Sequence, residues 1–339
     1  MSGTLVIQTA FLGDVVLTTP LLAALAQRYG AVDVVTTPAA AALLETHPAV
    51  GRVIRYDKRG ADRGWRGFRR LASELGERRY SRCYLPHRSW RSAALALLAG
   101  VHERTGFAGG AASITYTTRV SRPRAGHEVE RLLALAGRRN AADYPVSLAL
   151  TSDDDAAADR WLEDRSIASG FVAFAPGSIW GTKRWPYYPE LAAALAVPVV
   201  VIGGTDDAEL AERVRARAPG RAHAAAGALT LREAAALIRR ASVLVSNDSA
   251  PLHLATAVGT PVVALFGPTV PEFGFGPRGD RDVVLGHPDL ACRPCSAHGP
   301  QVCPLGHHRC MRELSVETVL SAVTAVAGTG ERRAIRTGH

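Results

Sequence analysis

Two kinds of run alternate along this chain. Short stretches of strand-like pattern, the second-half ones chiefly apolar, fall at 4–9, 32–37, 52–56, 83–86 and 104–107, and again at 171–175, 198–202, 241–245 and 261–266. Between them lie stretches with helical spacing of apolar residues, at 15–29, 39–46, 92–98, 127–135, 153–165, 189–195, 208–216, 232–239 and 316–326. The first kind reads as buried strand and the second as helix. Strand and helix in turn predict an α/β fold with parallel sheets covered on both faces. The helix at 153–165 opens on three aspartates, and after it the pattern starts afresh at Phe171. Two domains are therefore expected, 1–160 and 161–328, followed by a flexible tail at 329–339.

Ligands of open parallel sheets bind at the carboxyl ends of the strands, so the polar residues found there are the ones to read. The fullest set is Ser246-Asn247-Asp248-Ser249-Ala250-Pro251-Leu252-His253, between an apolar strand and a small-residue helix. Asp248 or Ser249 can cap that helix, and Pro251 suits its first turn. The N–H groups of Ala250, Leu252 and His253 would then face the mouth of a site at the positive end of the helix dipole, an arrangement suited to phosphate. An ordinary capped helix has the same spelling, and His253 can equally be a structural hydrogen-bonder.

A second such loop runs from Gly177 to Lys183. Gly177 and Gly181 let the backbone close on a ligand, Ser178 and Thr182 supply hydroxyls, and Lys183 can neutralise charge on a leaving diphosphate. The plain alternative is an exposed Lys183 beside a buried Trp185. Asp206, Asp207 and Glu209 follow a third strand end, where a carboxylate holds a ribose hydroxyl or caps a helix. In the first half, Gly13-Asp14 opens the helix after the first strand. Asp14 there is a helix-start carboxylate or a base for an acceptor hydroxyl. Neither a Walker spacing nor G-x-G-x-x-G is present.

Composition changes this picture in two places. The 339 residues are 47% apolar, ample for two cores, and the net charge of +9 favours acidic partners: nucleic acid, anionic lipid or phosphorylated small molecules. Segment 58–91 is dense in arginine, with Trp65, Phe68 and Trp90 interleaved. It reads as a solvated helix face or as a surface for a phosphorylated or membrane-embedded acceptor. His87, Arg88 and Arg91 stand out because they follow the strand at 83–86. No nucleic-acid motif accompanies the charge. With no signal peptide and no apolar run of membrane-spanning length, a cytoplasmic protein is expected. Five cysteines in that compartment are reduced or metal-bound rather than paired. Cys292-x2-Cys295, Cys303 and Cys310, with His298, His307 and His308 nearby, offer enough ligands for a structural Zn²⁺, or form a loop of reduced thiols.

The motifs together resemble the ADP-heptose:lipopolysaccharide heptosyltransferases of glycosyltransferase family 9. The match is carried by Gly13-Asp14-Val15-Val16-Leu17-Thr18-Thr19-Pro20, Pro176-Gly177-Ser178, Lys183-Arg184-Trp185-Pro186, Gly203-Gly204, Asn247 to Ala255, and Phe266-Gly267-Pro268-Thr269. The segment from Cys292 to Met311 is closer to heptosyltransferase II members than to heptosyltransferase I. The resemblance implies a GT-B architecture, two Rossmann-like domains with parallel sheets facing across a cleft. The N-terminal domain would take the acceptor and the C-terminal domain ADP-heptose. It further implies inverting transfer of L-glycero-D-manno-heptose to a heptose of the lipopolysaccharide inner core (lipid A-Kdo-heptose), at the cytoplasmic face of the inner membrane. Asp14 becomes the general base. Ser178 and Lys183 would contact the diphosphate or the sugar, and Asp248 the donor heptose, with the N–H groups after it on phosphate. No cofactor is required, and no nucleic acid is involved. Two other readings stay open: another GT-B enzyme, with a different donor or a 2-epimerase activity, and a non-catalytic nucleotide-sugar-binding relative.

Overall fold

The chain divides into two units, Met1–Ala149 and Leu150–His339. The structure, a computed structural model, describes residues 3–336, with side chains through 328. The first unit carries strands β1 (Thr4–Ile7), β2 (Val32–Thr36), β3 (Val50–Arg55), β4 (Arg82–Leu85), β5 (Glu103–Phe107) and β6 (Thr118–Val120). Its helices are α1 (Leu12–Tyr29), α2 (Pro38–Leu44), α3 (Gly64–Glu77), α4 (Trp90–Leu98) and α5 (Glu128–Leu133). The six strands form one sheet in the order β3-β2-β1-β4-β5-β6, every pair parallel. β1 is buried along its whole length, as an apolar strand covered on both faces must be.

The arginine-dense segment resolves into a helix the sequence reading left unassigned. In α3, Phe68, Leu71, Ala72 and Leu75 are buried at helical spacing, while Arg66, Arg69 and Arg70 lie on the exposed side. The arginines of this part of the run are exposed together on one face of the helix.

The second unit repeats the plan. Strands β7 (Val172–Ala175), β8 (Val199–Val201), β9 (Ala222–Ala224), β10 (Val243–Asn247), β11 (Val262–Phe266) and β12 (Val283–Gly286) make a second all-parallel sheet, ordered β12-β11-β10-β7-β8-β9. Helices α6 (Ser152–Glu163), α7 (Tyr188–Ala194), α8 (Ala208–Arg217), α9 (Leu231–Arg240), α10 (Ala250–Val258), α11 (Arg309–Arg312) and α12 (Val316–Arg336) surround it. In both sheets the strand order reverses beside the first strand of the unit, between β1 and β4 and between β7 and β10. Such switch points open a crevice at the carboxyl ends of the strands, and ligands of doubly wound folds sit there.

Two expectations change. Helix α6, which straddles the boundary expected at 160, lies wholly in the second unit. Three of its four aspartates face α9: Arg232 donates to both Asp154 carboxylate oxygens (3.1 Å), and Arg240 pairs with Asp155 (2.9 Å) and Asp159. Burial works against the Asp154 charge, but Arg232 and Thr151 hold its pKa down at about 2. The expected tail at 329–339 is helical through Arg336, because α12 runs on past 326 through a segment without proline and rich in helix formers. Residues 337–339 lie outside the described residues. No helix among the described residues is long and apolar enough to cross a membrane.

Candidate active site

In the second unit the site is built at the β7/β10 switch point. Asn247, the last residue of β10 and fully buried, ties the two strand ends together. Its amide nitrogen donates to the carbonyl of Pro176 (2.9 Å), and its oxygen accepts from the Trp185 amide (3.1 Å). This fixes the 176–185 loop after β7 against β10 and delivers Lys183 to the residue after Asn247. The Lys183 ammonium donates to the Asp248 carboxylate (2.5 Å) and to the Asp248 carbonyl (3.1 Å). Thr269, beyond the end of β11, donates its hydroxyl to the same carboxylate oxygen (2.7 Å). Lys183, Asp248 and Thr269 are all buried. A buried charge pair is retained only with good geometry and further hydrogen bonds, and here the threonine and the carbonyl supply them. Two glycines are required by contact. A Cβ on Gly177 would lie 2.1 Å from the Asp207 carboxylate, and one on Gly181 would lie 2.4 Å from the Gln301 carbonyl.

The helix cap differs from expectation. Ser249 holds the N-cap position of α10 but makes no side-chain cap bond, and its buried hydroxyl has no hydrogen-bond partner among the described residues. Asp248 does not cap either, because its carboxylate is engaged by Lys183 and Thr269. The Leu252 N–H, expected to be open, bonds the Ser249 carbonyl (3.2 Å), and the Leu252 side chain is fully buried. Ala250 and Pro251 begin the helix, half-buried, and His253 is buried with its ring edge-on to Phe275. Thr182 is buried with its hydroxyl donated to the Pro300 carbonyl, which leaves it a loop-holding role. Ser178 accepts from the Trp180 amide (3.2 Å). Asp207 accepts from the Gly204 amide (3.0 Å) in the turn before α8, close against Gly177, while Glu209 is exposed.

A long excursion, residues 287–308, buttresses the Lys183 loop. The Gln301 side chain accepts from the Gly181 amide (3.1 Å) and donates to the Ile179 carbonyl (2.8 Å). His308 Nε2 bonds the Thr182 carbonyl (2.8 Å), and the His298 ring stacks on Trp180. The same excursion carries Cys292, Cys295 and Cys303, and Cys310 follows in α11. All are free thiols, and among the described residues no group of three or more His, Cys, Asp or Glu is gathered as a metal site.

The first unit collects its polar groups at the β1/β4 switch point. Gly13 and Asp14 lie in the first turn of α1, just past β1. Asp14 accepts from the Phe11 amide (3.1 Å), as a helix-start carboxylate does. Burial raises its pKa to about 6, and the nearby charge of Glu128 adds to the rise. The Phe11 amide and Arg122 oppose it. Glu128 starts α5, is buried, and pairs with Arg122 and with Arg131 (3.4 Å). Beyond β4, His87 is half-buried and bonds Ser92 (3.2 Å). Its pKa is pushed down to about 4 by burial and then by the charge of Lys58, so it is neutral at physiological pH. Lys58, beyond β3, donates to the Thr9 carbonyl (2.7 Å), and burial, Arg59 and Arg91 lower its pKa. Cations gathered near one another form a place for an anion. Arg91 lies over the Tyr56 and Phe68 rings at 5.7 Å, and Arg88 donates to the Ala108 carbonyl (3.1 Å) from an exposed position.

If Asp14 serves as the base expected from the sequence, a pKa near 6 means that it must lose its proton to act. Activity is therefore expected to fall below pH 6 and to level off above it, as read from kcat/KM against pH. Glu128→Gln should move that limb towards lower pH by removing the neighbouring charge. An acidic limb unchanged in Glu128→Gln would show that Asp14 does not set it.

The sequence reading assigns no role to Thr269 or Lys58. Both follow strand ends, which is the signal that would have marked them.

Two doubly wound parallel units, each with its polar groups at the switch point, describe the GT-B class of glycosyltransferases. The fold matches the structure of heptosyltransferase II of Escherichia coli with a TM-score of 0.79 at 27% identity, covering 97% of this chain and 99% of that one. Lipopolysaccharide heptosyltransferase 2 of Salmonella typhimurium is 32% identical over 291 residues, 79% of this chain and 84% of the relative. Lipopolysaccharide heptosyltransferase 1 of Pseudomonas aeruginosa is also 32% identical, over 316 residues, 86% of this chain and 85% of that one. The profile of glycosyltransferase family 9 (heptosyltransferase) matches residues 68–303. The chain belongs to glycosyltransferase family 9.

Proposed function

We propose that the chain transfers L-glycero-D-manno-heptose from ADP-heptose to a heptose of the lipopolysaccharide inner core, with inversion at the anomeric carbon. The observation that carries this reading is the buried Lys183–Asp248–Thr269 group at the β7/β10 switch point, the ligand position of a doubly wound sheet. The names of the relatives support the donor and the acceptor. The acceptor hydroxyl gives its proton to Asp14 and attacks the anomeric carbon. A carbon–oxygen bond forms, and the bond from that carbon to the β-phosphate oxygen breaks, releasing ADP. Lys183 offsets charge on the departing diphosphate, and the Ser249 hydroxyl, which has no protein partner among the described residues, is placed to serve the same ligand. Asp207 is the better placed of the two ribose candidates, because it lies against Gly177 of the donor loop whereas Glu209 is exposed. The first unit takes the acceptor, with His87, Lys58, Arg88 and Arg91 towards its anionic groups. The arginine face of α3 suits the anionic cytoplasmic surface of the inner membrane, as a peripheral contact.

Thermal unfolding with nucleotides tests the donor. A ligand that binds only the native state, at a hundred times its Kd, adds about 2.7 kcal/mol, which is several degrees for units of this size. ADP is expected to raise the melting temperature, ADP-heptose at least as much, and UDP not at all. Equal protection by UDP would move the chain to a different donor. Protection by ADP-heptose with no ADP release on any truncated core acceptor would mark a binding protein.

A further inference from the structure

Between α7, α8 and α11 of the second unit lies a cavity of about 280 Å³. Three guanidinium groups line it: Arg184 from the loop after β7, Arg213 from α8 and Arg312 from the end of α11. His308 adds to the basic side, and Pro176, Pro186 and Leu210 supply apolar wall. No carboxylate among the described residues lines the cavity, and neither do Lys183, Asp248 or Thr269. It is therefore a place separate from the groups gathered at the β7/β10 switch point.

Local structure brings these cations together. Leu210, Arg213 and Val214 stand at i, i+3 and i+4 on α8 and so share one side of that helix, with Val214 buried in the core beneath. Lys183 and its neighbour Arg184 part company: Lys183 is buried on Asp248, whereas Arg184 is exposed. Arg184 donates through Nε and one Nη to the Ser178 carbonyl (3.0 and 2.8 Å). Its other Nη has no partner among the described residues. His308 is held in the left-handed region at φ 49°, with Nε2 on the Thr182 carbonyl (2.8 Å).

What sets the lining arginines apart is the lack of counter-charge. The acid beside Arg213 in sequence, Glu212, is taken by Arg215 (2.6 Å), and the acid beside Arg312, Glu313, by Arg309 and by His287 (2.9 Å). The arginines of α9 have the aspartates of α6. Arg213 and Arg312 make no side-chain ion pair or hydrogen bond among the described residues, and both are exposed on the one cavity. Like charges around a concavity focus a potential that draws an anion. Planar guanidinium forks match the paired oxygens of phosphate. Three of them call for more than one phosphoryl group, and 280 Å³ is the size of a small-molecule pocket.

We propose that this cavity binds a small molecule carrying two phosphoryl groups, held by Arg184, Arg213 and Arg312. The ligand shares Arg184 and His308 with the Lys183 loop, whose Ser178 and Thr182 carbonyls those side chains hold. The site lies outside the donor crevice, so it stands or falls apart from the assignment of donor and acceptor.

The test is calorimetric titration of the full-length chain at low ionic strength with inorganic pyrophosphate and with a hexose bisphosphate, ADP being present in excess to fill the donor crevice. Each probe is expected to bind at a single site and to weaken as salt is added. Arg213→Ala and Arg312→Ala should each lower the affinity by about tenfold, the loss of one charge-assisted contact. Neither variant should change the melting temperature or the affinity for ADP, because both side chains are exposed and unpaired. No binding of either probe would overturn the proposal, as would an affinity unchanged in the double variant. Inorganic phosphate binding as tightly as both probes would also overturn it, since the cavity would then read one phosphoryl group. Should ADP itself fail to bind, the donor assignment falls alone. The titrations without ADP still compare the wild type with the double variant.

Discussion

Asp14→Asn is expected to lower kcat by about 10²–10⁴-fold, the range of a positioned general base, while ADP binds as in the wild type. The second half of that expectation follows from the architecture. Asp14 belongs to the first unit, and the groups assigned to the diphosphate belong to the second. The same substitution should make the protein more stable at neutral pH. Asp14 has its pKa raised from 3.8 to about 6, so its contribution favours folding below pH 3.8 and is lost as pH rises through about 6. Above that pH the native state carries a charge held in an unfavourable place. Removing it should return ~1–2 kcal/mol, less than the full shift implies, because the bond from the Phe11 amide to a charged acceptor is weakened at the same time. A variant that is inactive, binds ADP and melts higher at pH 8 but not at pH 4 is the expected result. Normal turnover would remove Asp14 as the base. A lower melting temperature at pH 8 would mean that the carboxylate is a structural cap after all.

Lys183→Ala is expected to act on stability and binding together. The ammonium and the Asp248 carboxylate are both buried and bonded at 2.5 Å. Deleting one partner leaves the other charged and uncompensated, which costs about 3–5 kcal/mol in buried pairs. ADP affinity should fall as well, by roughly tenfold or more if one charge-assisted hydrogen bond of 1.5–3 kcal/mol to the diphosphate is lost. The double replacement Lys183→Met with Asp248→Leu separates the two effects. Apolar residues of similar size in place of a buried pair are often neutral for stability. The double variant should therefore recover most of the lost stability and none of the ADP affinity. Calorimetry of ADP binding and chemical denaturation of both variants make the comparison. Unchanged affinity and unchanged stability in Lys183→Ala would exclude Lys183 from the site and from the pair.

How much of this could be read in the sequence depended on how local the information was. The central strands β1, β7, β10 and β11 announce themselves because strands covered on both faces are apolar throughout. β6, β9 and β12 do not. They are three or four residues long, lie at the sheet edges, and two of them are of mixed polarity, as in Thr118-Arg119-Val120 and Ala222-His223-Ala224. α3 is hidden by its own polar residues: three arginines and two glutamates stand among the four apolar residues of its buried face. Asp14 and Asp248 are legible as strand-end carboxylates. Their settings are not, because these come from residues distant in the chain. Asp248 meets Lys183 from 65 residues away, and Asp14 feels Glu128 on another helix. The helix cap was misjudged for the same reason: a carboxylate held by an ammonium and a hydroxyl is not available to the amides next to it.

The ionic strip between α6 and α9 has a consequence for recombining family members. Chimeras that join the front of one homologue to the back of another would most naturally be spliced where the β-rich pattern restarts, near Phe171. Such a splice imports a foreign α6 and leaves Arg232, Arg239 and Arg240 facing whatever acids that homologue happens to offer. A crossover placed before Thr151 keeps each arginine with its own aspartate, and shuffling experiments that respect this seam should give soluble hybrids far more often.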